Sequence, residues 1–133
     1  MVDTGPLYAA VDADDRDHQR SVDALQTPGL RLFIPALVVA EVAYLLGRRV
    51  GSHVEAEFLS GLGELDVLAP AAQDWRRIGQ LVRQYADFPL GGTDASVIAL
   101  AESLNTDVII TLDRRHFAAV RPAHCDSLRL LPD

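Results

Sequence analysis

Asp107-Val108-Ile109-Ile110-Thr111-Leu112-Asp113 is an aliphatic run bounded by an acid at each end. Its apolar residues are consecutive rather than alternating, so it reads as a strand covered on both faces, the kind found in parallel sheets. Working outward, 114–120 predicts a short helix and Leu128-Arg129-Leu130 a last edge strand. Upstream, Gly91-Gly92 reads as a flexible loop, with Thr93 capping a helix over 94–104. Before that, 73–85 predicts an amphipathic helix with Trp75, Ile78, Leu81, Val82 and Tyr85 at helical spacing, and Trp75 reads as core.

The first half repeats the alternation. Met1-Val2-Asp3 reads as the end of a short buried strand, and Pro6 sits in the first turn of a helix over 6–11. A second helix is expected over 17–26, a strand over Arg31-Leu32-Phe33-Ile34, and a long helix over 35–49 stopped by Gly51. Ser52 and Glu55 have the spacing of a capping box for the next helix, and Leu65-Asp66-Val67-Leu68 reads as a strand. Strands interleaved with helices define an α/β chain. With no repeat, linker or low-complexity tract, residues 1–133 are expected to form one domain.

Four acids fall at element ends or inside apolar segments. Asp3 ends the first strand, Glu41 interrupts Pro35-Ala36-Leu37-Val38-Val39-Ala40-Glu41-Val42-Ala43, Asp94 follows Gly91-Gly92-Thr93, and Asp113 ends the strand quoted above. Burying an uncompensated carboxylate is costly. Four such groups, far apart in sequence, suggest one cation site assembled by the fold. In open parallel sheets, sites form at the carboxyl ends of strands, where Asp3 and Asp113 would stand.

Composition narrows the class. Of 133 residues, 49% are hydrophobic and 23% charged, which fits a folded globular chain rather than a disordered one. Apolar runs are too short to cross a bilayer, no leader pattern opens the chain, and the expected compartment is the cytoplasm. Cys125 is the sole cysteine, which excludes an internal disulfide and a cysteine-rich zinc site. The net charge of −7 is unfavourable for meeting a polyanion, although a bound metal would neutralise part of it. All 12 basic residues are arginine; a GC-rich coding sequence explains that better than phosphate binding does.

The motifs Asp3-Thr4-Gly5, Val39-Ala40-Glu41-Val42, Thr93-Asp94-Ala95-Ser96 and Thr111-Leu112-Asp113-Arg114-Arg115-His116-Phe117 resemble those of PIN-domain nucleases, most closely the VapC toxins of bacterial toxin–antitoxin pairs. Their order and intervals span essentially the whole chain. The resemblance implies a three-layer α/β/α fold around a parallel sheet of four or five strands. It implies a Mg²⁺- or Mn²⁺-dependent endoribonuclease acting on structured RNA, such as a tRNA or rRNA loop. It also implies a homodimer restrained by a VapB-type antitoxin. One departure is visible: family members often carry two or three more residues before the first acid, so the first strand is short here.

The chemistry suits this reading. Phosphodiester hydrolysis needs an activated water and stabilisation of charge on phosphate, which one or two hard divalent ions supply through oxygen ligands. Asp3, Glu41, Asp94 and Asp113 are the expected ligands and catalytic residues. Two like charges 4 Å apart repel by roughly 4 kcal/mol at an effective dielectric of about 20, so a metal-free cluster is strained. Thr4 and Thr111 are placed to orient a ligand or water.

Each acid also has a plainer reading. Asp3 suits a turn before Gly5, Glu41 a snorkelling helix position, Asp94 a helix N-terminal charge, and Asp113 a cap for the helix at Arg114. His116 reads as structural rather than as an acid or base, and Arg114 and Arg115 as solvated surface residues or phosphate contacts. Other classes fit less well. Aspartic proteases share Asp-Thr-Gly but place it between strands, receiver domains need a lysine, and haloacid-dehalogenase phosphatases need an acid where Gly5 stands. The remaining alternative is a catalytically inactive PIN-like binding module.

Overall fold

The computed structural model describes residues 1–133. Seven α-helices are present: α1 Thr4–Val11, α2 His18–Leu25, α3 Ala36–Arg49, α4 Ser52–Gly61, α5 Ala72–Gln84, α6 Gly92–Ser103 and α7 Arg114–Ala119. The strands are β1 Ile34–Pro35, β2 Val67–Leu68, β3 Val108–Ile110 and β4 Arg129–Leu131. The expected order of helices and strands is therefore observed, with strands shorter than the apolar runs that announce them.

The strands pair in parallel as β1 with β2 and β3 with β4. The amino-terminal residues lie between the two pairs. Val2 forms a parallel bridge with Ile110 and donates its N–H to Phe33 O at 2.9 Å, while Asp3 N–H reaches Ile110 O at 2.9 Å. The result is a mixed α/β fold with two short parallel pairs joined through Met1–Asp3, where a sheet of four or five regular strands was expected. Only one to three residues per segment keep ladder geometry; β1 stops at Pro35, which lacks an N–H for the ladder and stands at the cap of α3.

The core is built on α6 and β3. Every residue from Ala95 to Ala101 is buried, so α6 is enclosed all round and its small residues allow close packing. α3 buries Val38, Val42 and Leu46, spaced one turn apart on one face. Val2, Ile109, Ile110 and Phe117 belong to the same cluster. Each fully buried Leu or Ile contributes about 1.5–3 kcal/mol relative to exposure. α4 buries no residue fully and packs against α3 at the periphery.

Three local expectations are corrected. Ser52 is the first residue of α4 rather than its cap; Gly51 precedes it at φ 134°, and no side chain caps the helix. The Glu55 carboxylate instead lies against Gly47, where a Cβ would meet Oε1 at 2.6 Å. Thr93 is likewise inside α6, whose cap is Gly91, so Gly92 is helical rather than loop. Trp75 is 51% exposed; Ile78 and Leu81 carry the core face of α5. Asp74 anchors the start of α5 by accepting Ala71 N–H at 2.8 Å and the Ser103 hydroxyl from the end of α6.

Candidate metal centre

Asp3 precedes α1 in extended geometry and makes no side-chain cap bond, so its carboxylate is not consumed by the helix it introduces. It is 4% exposed. The Thr111 hydroxyl donates to Asp3 Oδ2 at 2.7 Å, while Asp3 Oδ1 is buried with no hydrogen-bond partner. Such an orphaned carboxylate oxygen is costly in an apolar setting. Burial pushes the Asp3 carboxyl above its ordinary pKa against the opposing Thr111 bond, and the charges of Glu41 and Asp113 add to the rise.

The other acids arrive from three different elements. Glu41 lies in the middle of α3 and is exposed, Asp94 lies in the first turn of α6, and Asp113 caps α7. All four, with Thr4, Gly5 and Leu112, line one open cleft of about 480 Å³. Asp94 is pushed up to about 7 by burial first, then by the charges of Asp3 and Asp113 and less by Glu41, with His116 opposing. No lysine exists in the chain to neutralise the cluster, and none of the arginine–carboxylate pairs involves these acids.

Asp113 and His116 form a unit that the sequence reading left aside. Asp113 Oδ1 accepts His116 N–H at 3.2 Å as an N-terminal cap, and His116 Nδ1 meets Asp113 Oδ2 at 2.5 Å. The Asp113 backbone N–H is held by Thr111 Oγ1 at 2.9 Å. Donor atoms of Asp94, Asp113 and His116 lie within 4.8 Å of one another. The available signal was the three-residue spacing of Asp113 and His116 at a helix start, which puts both on the same turn. Arg114 points elsewhere, donating to Leu130 O at 3.3 Å and Pro132 O at 2.8 Å, and so ties α7 to β4. The Thr4 hydroxyl is buried without a partner.

The donor set fits a hard divalent cation. It offers carboxylate oxygens, one of them buried and unsatisfied, on a background of mutual repulsion that a cation relieves.

A model of the PIN domain family matches residues 1–121. Ribonuclease VapC26 of Mycobacterium tuberculosis is 33% identical over 134 residues, covering 99% of each chain. The chain therefore belongs to the PIN-domain family, in its VapC branch. Two solved structures share the fold. Mycobacterium tuberculosis VapC20, described as a sarcin-ricin loop cleaving toxin, superimposes with a TM-score of 0.78 at 19% identity, covering 89% of this chain and 92% of that one. VapBC2 of Rickettsia felis, bound to a DNA fragment from its promoter, gives 0.71 at 17% identity, with 99% and 98% covered. No helix here is long and apolar enough to cross a membrane.

Proposed function

We propose that this chain is a VapC-type endoribonuclease toxin that hydrolyses a phosphodiester bond in a structured RNA, a tRNA or rRNA loop, with Mg²⁺ or Mn²⁺ as cofactor. The observation that carries the reading is the meeting of Asp3, Glu41, Asp94 and Asp113 at one cleft, with Asp3 Oδ1 buried and unpartnered. These four are the proposed ligands. A bound divalent ion would supply the activated water and the positive charge that the scissile phosphate needs. Thr111 fixes the Asp3 carboxylate by its hydroxyl, and the same oxygen holds the Asp113 backbone, so one side chain sets the spacing of two ligands. His116 orients Asp113 from the other side.

The same reading extends to architecture and partners. The five extended segments act as one short parallel sheet within an α/β/α sandwich, and residues 1–133 work as one domain in the cytoplasm. The active species is a homodimer held inactive by a VapB-type antitoxin, whose basic tail has reason to enter an acidic cleft and compete with metal. Likeness to Ribonuclease VapC26 and to a VapBC assembly supports that partner. Antitoxin-free protein should cut RNA with Mg²⁺ or Mn²⁺ and stop with EDTA. Asp3→Ala, Glu41→Ala, Asp94→Ala and Asp113→Ala should each lose most of the rate, whereas cleavage at the wild-type rate by any one of them would remove that residue from the ligand set.

A further inference from the structure

The cleft is lined by four carboxylates and no basic side chain, so a group beside it must hold the phosphates of an RNA strand. Arg114 is committed to two backbone carbonyls. Its neighbour Arg115 is exposed, forms none of the chain's ion pairs, and holds its guanidinium carbon 5.8 Å from the centre of the Phe88 ring. Phe88 is half-buried and meets the His116 ring edge-on at 5.0 Å, and His116 in turn contacts Asp113. An unbroken line of contacts thus runs from the Asp113 carboxylate through His116 and Phe88 to one free guanidinium.

We infer that Arg115 is a phosphate-binding residue of the RNA site and that Phe88 is its positioning residue. The inference rests on the nuclease reading and names the group that seats the strand beside the cleft. An exposed arginine ordinarily loses rotamer freedom when it binds; one already resting on an aromatic face has lost part of it beforehand. Its planar fork donates two parallel N–H bonds to a phosphate, which suits a backbone contact that is blind to base identity. The Phe88 ring, braced by His116, fixes how far that fork stands from Asp113. An acidic protein thereby gains a local cation at the edge of its metal centre without neutralising the metal ligands.

The test is steady-state cleavage with Mn²⁺ together with fluorescence-anisotropy binding of a labelled RNA hairpin, each across a salt series. Arg115→Ala should raise KM and Kd about 5- to 20-fold, with the loss in KM rather than kcat and Mn²⁺ affinity unchanged. One lost phosphate contact should also flatten the slope of log Kd against log salt by about 0.7 on a single strand, or about 0.9 on a duplex. Arg115→Lys should recover part of the affinity, and Phe88→Leu should fall between wild type and Arg115→Ala. Arg76→Ala, an exposed arginine on α5, serves as the control and should change neither. Wild-type KM and salt slope in Arg115→Ala, beside an active wild-type enzyme, would overturn the Arg115 assignment and leave the nuclease reading standing. A wild-type protein that neither binds nor cuts RNA would overturn both.

Discussion

Thr111 and Asp3 are 108 positions apart in sequence and joined by a buried 2.7 Å hydrogen bond from the Thr111 hydroxyl to Asp3 Oδ2. The bond exists because Met1–Asp3 and β3 lie side by side, held by Val2–Ile110 bridging and by Asp3 N–H on Ile110 O. Asp3 and Thr111, each directly following its paired segment, are thereby brought together at the cleft. The Thr111 oxygen has two tasks, since it also accepts the Asp113 N–H.

Thr111→Val keeps the volume and removes the hydroxyl, leaving a buried carboxylate oxygen with no donor. Metal-free stability should fall by about 1–3 kcal/mol, and cleavage should fall about 10- to 100-fold, as when a group orienting a ligand is lost. Thr111→Ser should restore most of both. Thermal melts with EDTA and rate measurements with Mn²⁺ check it; an unaffected Thr111→Val would remove the orienting role.

Asp94 separates a ligand from a structural acid. Its charged neighbours are three carboxylates opposed by His116 alone, so Asp94→Asn should preserve or raise metal-free stability while abolishing cleavage and the metal-induced gain in melting temperature. A carboxylate serving a buried ion pair behaves oppositely, losing about 3–5 kcal/mol when neutralised. Melts with EDTA and with excess Mn²⁺ distinguish the two.

The same residue predicts a pH dependence. The Asp94 carboxyl sits at about 7 in the folded protein against an ordinary value of 3.8, so the folded state holds its proton more tightly. That contribution to stability is complete below the ordinary value and is lost as pH rises through about 7. The metal-free protein should therefore become less stable across that window, and the slope should flatten in Asp94→Asn. Mn²⁺ competes with the proton, so its stabilising effect should grow over the same range. Denaturant melts at a series of pH values read both trends, and a metal-free protein gaining stability toward pH 7 in Asp94-dependent fashion would refute them.

On α5, Ile78 and Leu81 lie on the buried face that periodicity suggests, whereas Trp75 does not. Leu81→Ala should cost about 2–5 kcal/mol, as expected for a fully buried leucine, whereas Trp75→Ala should cost less than about 1 kcal/mol because half of the residue is already in water. Chemical denaturation of the two variants decides it, and a Trp75→Ala loss matching Leu81→Ala would return Trp75 to the core.

The sequence made the order of elements readable because uninterrupted runs such as Val108-Ile109-Ile110 have few alternatives to a covered strand. The acids were readable because carboxylates in or beside such runs demand compensation. The strand ends and caps were harder to read. Ser52 and Thr93 have capping chemistry, yet Gly51 and Gly91 stand at the caps because helix starts are set by where the chain must turn as well as by local propensity. Trp75 has the period of the buried face, but a 3.6-residue repeat leaves the width of the contact undetermined. His116 reads from sequence only as a structural residue, because its meeting with Asp94 depends on how α6 packs beside α7, a relation between distant segments.

The central claim, that these carboxylates form one divalent-metal centre, is tested most directly by calorimetric Mn²⁺ titration of antitoxin-free protein beside Asp94→Asn and Asp113→Asn. The account predicts saturable binding to the wild type and affinity weakened by about tenfold or more in each variant. Absence of Mn²⁺ binding to the folded wild type, or equal affinity in all three proteins, would contradict it.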